Sequence, residues 1–112
     1  MFDTSTIIDA MEEGVSPRGS ISVICLLEVL RGISSEKRAV IKELLEESHV
    51  VYQIENEIVL KYCEVYNDLK QTGMLIPDSD LIIGCTAIVK NRILKTKDQH
   101  FRRLVQFGLL LD

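Results

Sequence analysis

Between Asp80 and Lys90 the chain reads Leu-Ile-Ile-Gly-Cys-Thr-Ala-Ile-Val, nine residues without a charge. A run with no polar side cannot face water, so it is either a buried strand or a helix sunk against a sheet. The small residues Gly84, Cys85 and Ala87, with Asp78, Ser79 and Asp80 just ahead as capping residues, favour the helix. A helix of that kind needs a sheet to lie on, and the rest of the chain must supply it.

It does so in short pieces. Met1-Phe2 reads as the end of a strand, and "STIIDAMEE" as a short helix with Ile7, Ile8 and Met11 inward. "GVSPRGS" is punctuated by Pro and Gly as a loop. Ser22 to Arg31 is a second helix, with Ser22 as N-cap and Gly32 as its stop. "SSEKRAVIKELLEES" is amphipathic, with Val40, Ile41, Leu44 and Leu45 on one face and Glu36 in the first turn. "HVVYQI" is β-branched and aromatic, hence a strand. Glu55 to Thr72 is the longest helix, striped by Ile58, Tyr62, Val65, Tyr66 and Leu69 and ended by Gly73. "RILKT" then reads as a strand, "DQHFRRLV" as a short helix and "LLL" as a last strand. Strands alternating with helices imply parallel pairing and an α/β sandwich, in which ligands sit at the carboxyl ends of the strands.

The 112 residues suit one domain spanning 1–112. No apolar run is long enough for a transmembrane helix, and "MFDTS" offers neither a basic region nor a signal core. The expected location is cytoplasmic. Cys25, Cys63 and Cys85 are odd in number, widely spaced and set among apolar neighbours, which excludes a disulfide framework and a thiolate zinc site. All three are expected to be buried, reduced core residues. A formal charge of −4 argues against a protein that coats nucleic acid nonspecifically. Even so, Lys90, Arg92, Lys95, Lys97, Arg102 and Arg103 lie close together in sequence, either as a solvated surface or as a phosphate-contacting patch.

Four acids stand where the chain meets the expected ligand crevice. Asp3 follows the first strand, Asp98 follows "RILKT", Asp80 caps the buried helix, and Glu28 lies in the apolar helix "VICLLEVLRG". Each has an ordinary explanation. Asp3, Asp80 and Asp98 are each compatible with a cap or turn, and Glu28 with a surface pair to Arg31. Taken jointly they are compatible with convergence on one point, where like charges raise one another's pKa unless a cation neutralises them. Hard oxygen ligands suit Mg²⁺ or Mn²⁺, and such a nest suits phosphodiester hydrolysis. His49 and His100 form no pair and have no required role, His49 opening a strand and His100 lying on the surface near Asp98.

The stretches "DTSTIID", "ISVICLLEVLRG", "YNDLKQTGMLIPDSDLIIGCTAIV" and "ILKTKDQHF" before "GLLL" occur in an order that resembles the PIN domain, and within it the VapC-type toxins of type II toxin–antitoxin pairs. The resemblance covers nearly the whole chain. It implies a three-layer α/β sandwich with a central, mostly parallel sheet flanked by helices. It also implies a metal-dependent endoribonuclease that cleaves RNA with metal-activated water, using Mg²⁺ or Mn²⁺. A cognate antitoxin, a homodimer and no membrane association complete the expectation. Carried over by position, Asp3, Glu28, Asp80 and Asp98 are the catalytic and metal-binding quartet, with Asp80 preferred to its competitor Asp78. Ser5 and Thr96 match the small hydroxyl residues that line the family's pocket. Lys95, Lys97, Arg102 and Arg103 are candidates to hold flanking phosphates. Two departures stand out: only two residues precede Asp3, and Gly84 and Cys85 replace alanines more usual there. The alternative reading is a non-catalytic PIN module that binds RNA or protein; a phosphoacceptor receiver domain is set aside, because "MFDTS" holds one acid where that fold needs a pair.

Overall fold

The helices after Asp3, Ser22, Pro77 and Asp98 begin where a side chain or a proline sets the entry, and two helices end at left-handed residues. α1 (Thr4–Glu12) starts at Asp3, whose carboxylate accepts from Thr6 N–H, and α2 (Val23–Arg31) starts at Ser22, whose Oγ accepts from Ile24 N–H at 3.1 Å. α3 (Ser35–Ser48) and α4 (Asn56–Gln71) follow. α5 (Asp78–Lys90) is entered through Pro77, so Asp80 is not its cap but stands in its first turn. Asn91, at φ 54°, ends α5 in the left-handed region that Asn tolerates. All residues 1–112 are described in the computed structural model of the chain.

The sheet is built from minimal strands. β1 (Gly19–Ser22) and β2 (His49–Tyr52) pair in parallel, with Gly19 opposite His49 and Ser22 opposite Tyr52. β3 (Ile93–Leu94) and β4 (Leu110–Leu111) form a second parallel pair. Phe2 joins the two. Its N–H donates to Ser20 O at 2.9 Å, while Lys95 N–H donates to Met1 O at 2.8 Å across a parallel bridge. The order across the sheet is therefore β2, β1, Phe2, β3, β4. The expected α/β sandwich is present, with α5 packed on β1, β3 and a 3₁₀ helix (Gln99–Phe107), and with α4 along α5.

Other sequence expectations also need correction, and Ile8, expected inward on α1, is exposed. Gly19–Ser22 is a strand, not the end of a loop followed directly by a helix. It was hidden because its one apolar residue, Ile21, lies between two serines that are also buried. On α3 only Leu45 is buried and Ile41 packs partly, while Val40 and Leu44 face solvent. Cys25 and Cys85 are buried, but Cys63 is exposed on α4.

The uncharged run is α5, and its Leu81, Ile83, Gly84, Cys85, Thr86 and Ala87 are all buried. Thr86 meets its polar obligation by donating to Ile82 O at 2.7 Å. At Gly84 even an alanine methyl would land on Leu104 Cδ1 and stand 3.6 Å from Phe101 Cδ1. Both neighbours are fully buried, so Leu104 has little room to turn aside. Gly84 is thus a packing requirement and not merely a small residue in place of alanine.

Two measurements check this packing. Gly84→Ala gains roughly 1 kcal/mol of helix propensity but incurs overpacking of about 1–3 kcal/mol. Denaturant unfolding is expected to show a net loss that Leu104→Val partly restores; an equally stable Gly84→Ala protein would refute the contact. Burial pushes the Cys25 and Cys85 thiols up to about 12. One fast-reacting thiol with a disulfide reagent in the folded protein, abolished by Cys63→Ser, is therefore expected, and three fast thiols would contradict the core described.

Candidate metal centre

The ends of Phe2 and β3, the flank of α2 and the first turn of α5 bring the four acids toward one place. Asp3 is the most constrained, with 2% of its surface exposed. Its Oδ1 accepts from Thr6 N–H at 3.0 Å and from Thr6 Oγ1, and its Oδ2 accepts from Thr96 Oγ1. Thr96 in turn accepts from Asp98 N–H at 3.0 Å. The β3 exit is thereby locked to the start of α1. Asp98 is the N-cap of the 3₁₀ helix, its Oδ1 accepting from His100 N–H at 2.9 Å.

Glu28 answers the puzzle of an acid in an apolar helix. Its Oε1 accepts from Thr4 Oγ1 at 2.6 Å, and its Oε2 lies 3.6 Å from the exposed Arg31 guanidinium. Thr4 thus ties α1 to α2 while orienting the carboxylate. The ordinary capping and pairing roles of Asp3, Asp98 and Glu28 all exist, and they hold these acids in position instead of competing with convergence.

Asp80 is where the charges meet. Its carboxylate, Asp98 and His100 place one ligand atom each within 4.8 Å of one another. His100 Nδ1 lies 3.2 Å from Asp98 Oδ1 and 3.9 Å from Asp80 Oδ2. Asp3 and Glu28 fall outside that tight group but still act on it. Burial first, then the negative charges of Asp98, Glu28 and Asp3, push the Asp80 carboxyl up to about 6, against the opposing pull of His100. Asp78 is turned elsewhere, accepting from Tyr62 O–H at 2.7 Å.

The donor set fits a hard divalent cation. Carboxylate oxygens from separate elements suit Mg²⁺ or Mn²⁺, and an imidazole beside them suits Mn²⁺ better than Mg²⁺. Burial pushes the nearby Cys25 thiol up to about 12, so it is protonated in the metal-free protein.

The surrounding residues depart from the sequence reading in several ways. Ser5 is exposed and bonds none of the acids; the hydroxyls that do are Thr4, Thr6 and Thr96. His100, given no role, sits inside the acid group, and the Asp98-Gln99-His100 spacing was the available signal. The run of basic residues does not form one patch. Lys90 pairs with Glu55 and lies over the Tyr52 ring, and Arg92 donates to Tyr52 Oη, about 15 Å of helix away from Asp80. Arg103 donates to Met74 O and Leu75 O, pinning the loop before α5, so it is not a free phosphate ligand. Lys95, Lys97 and Arg102 remain exposed and without an ion pair.

Comparison with known proteins agrees with this geometry. The PIN domain family matches residues 1–106. Ribonuclease VapC1 of Methanocaldococcus jannaschii is 41% identical over 97% of this chain and 83% of its own length. VapBC-1 from nontypeable Haemophilus influenzae is 29% identical with a TM-score of 0.85, covering 100% of this chain and 95% of that one. DNA-bound VapBC from Salmonella typhimurium shares the fold, with a TM-score of 0.86 over 100% of this chain and 95% of that one at 19% identity. The chain belongs to the PIN-domain family, as a VapC-type member.

Proposed function

We propose that this chain is a divalent-metal-dependent endoribonuclease, the toxin of a toxin–antitoxin pair. The observation that carries the reading is the gathering around the half-buried Asp80 of three further carboxylates from remote segments; burial first, and then their charges, lift its carboxyl to about 6. A fold gains nothing in stability by gathering acids in this way, so the arrangement calls for a ligand that repays it. The relatives support the choice of reaction: one is named a ribonuclease, and the solved neighbours are VapBC complexes.

In this reading Asp3, Glu28, Asp80 and Asp98 hold Mg²⁺ or Mn²⁺. When bound, the cation supplies Lewis acidity toward a scissile phosphate and an acidified water as nucleophile. The chain's own residues orient and charge the site. Thr6 and Thr96 fix both oxygens of Asp3, Thr4 fixes Glu28, and Thr96 relays that order to Asp98. His100, beside Asp98 and Asp80, is placed to exchange a proton with a leaving oxygen. Lys95, Lys97 and Arg102 attract the flanking phosphates of RNA. The antitoxin is the partner in the cell, and no helix is long and apolar enough to cross a membrane.

Two outcomes are expected. A structured RNA pool should be cut with Mg²⁺ or Mn²⁺ but not with EDTA, and Asp80→Asn, purified identically, should lose at least 100-fold in rate. Equal cleavage by both proteins would sink the assignment. The second outcome concerns stability without metal. A carboxyl whose folded pKa lies above its unfolded value destabilises the fold as pH rises from about 3.8 through about 6. After discounting for solvent screening at this part-exposed group, Asp80→Asn should stabilise the metal-free protein by about 1–2 kcal/mol at pH 7. Its melting temperature in EDTA should rise by several degrees, with the gain vanishing at pH 4; an unchanged or lower value at pH 7 would show that burial and the neighbouring acids do not raise the Asp80 carboxyl.

A further inference from the structure

A cleft of about 380 Å³ opens beside the acid centre, between α1 and the exit of β3. Its size lies in the roughly 300–1,000 Å³ range of small-ligand sites. It shares two walls with the acid centre, because Thr6 and Thr96 line it and also donate to Asp3. Phe2, Ala10 and Val15 form its apolar part. Asp9 and Glu13, one helical turn apart on α1, face into it from one side, and Lys95 and Lys97 from the other. The acids and lysines form no ion pair with each other or with any other residue.

This combination selects a chemistry. Asp112 lines the cleft as well, so a bare phosphate would meet three carboxylates, and a purely apolar group would leave five charged side chains unanswered. A flat, partly apolar group with hydrogen-bond donors on its edge and a phosphate attached matches the apolar wall, Asp9 and Glu13, and the two lysines. We propose that the cleft takes the nucleobase next to the scissile phosphate, and that Asp9 and Glu13 select bases carrying an exocyclic amine (adenine, cytosine or guanine) over uracil. The proposal rests on the ribonuclease reading above. Carboxylates accept from exocyclic amines, as Asp and Glu do from the cytosine N4 amine. Uracil has no exocyclic amine; its one edge donor, N3–H, lies between two carbonyl acceptors that would face Asp9 and Glu13 unfavourably. Lys97, adjacent in sequence to Asp98, is placed to hold the phosphate linking the base to the reacting centre.

The test uses full-length protein with Ca²⁺ and fluorescein-labelled ten-residue oligoadenylate, oligocytidylate and oligouridylate, read by anisotropy. Wild type should bind the first two at least fivefold tighter than oligouridylate. Asp9→Asn combined with Glu13→Gln should bring that ratio below twofold. The ratio is the readout, because removing two negative charges strengthens binding to any RNA. Ala10→Leu, which narrows the cleft, should also reduce the ratio, and the exposed pair carries the test if that variant folds poorly. Manganese affinity by calorimetry should be unchanged in the double variant, separating the cleft from the acid centre. A wild-type ratio near one, or a preference that survives the double substitution, overturns the inference. The pool assay with Asp80→Asn tells the two readings apart: acid-dependent cleavage with no base preference rejects the cleft alone, whereas cleavage indifferent to Asp80 rejects the ribonuclease reading itself.

Discussion

The buried carboxylate of Asp3 is the point on which the rest of this small structure depends. An anion taken out of water without partners costs several kcal/mol, and Asp3 is almost wholly enclosed. Its partners come from two sides, Thr6 on α1 and Thr96 after β3. Immediately before it, Met1 and Phe2 join the β1–β2 pair to the β3–β4 pair, Phe2 bonding Ser20 and Met1 bonding Ile93 and Lys95. Two-stranded pieces are marginal alone. The same three residues at the start of the chain therefore close the sheet and place the first acid, so sheet integrity and site geometry cannot be varied separately.

The other acids are held by economy of the same kind. Asp98 caps the 3₁₀ helix that presses Phe101 and Leu104 onto α5, and Leu104 fills the space left by Gly84. This contact fixes how deep α5 lies and so where Asp80 stands. Asp80 lies in the first turn of α5, where the helix dipole favours negative charge and offsets part of the repulsion from its neighbours. Burial, and then the repulsion that remains, keep the carboxyl raised.

How much of this was legible in the sequence depended on whether the determining interaction was local. Helices with a long apolar stripe, such as α4 with Ile58, Val65 and Leu69 inward, could be read directly. So could α5, because a run with no polar face has few places to go. β1 could not, since Ser20 and Ser22 look like loop residues until pairing with β2 and Phe2 buries them. The four acids could be named from their positions relative to the elements and from the family resemblance. Their hydroxyl partners could not be sorted, because choosing Thr4 and Thr6 over Ser5 requires the rotation of α1 about its axis. Charge proximity in sequence misled in the same way: α5 carries Lys90 and Arg92 to its far end, and the 3₁₀ helix turns Arg103 back toward Met74 and Leu75.

That separation of cations bears on how an acidic protein engages a polyanion. The net charge of −4 repels RNA at long range, so attraction has to be local. Lys95, Lys97 and Arg102 carry no ion pair, and of Asp80 and the three carboxylates that act on it only Glu28 faces a guanidinium, that of Arg31. A phosphate brought there without a cation would add to the repulsion that already lifts the Asp80 pKa. A divalent cation held by the acids would remove that repulsion, so metal binding and RNA binding are expected to favour one another. The acid centre thus acts as more than a place for chemistry, since its charge state also bears on how RNA approaches.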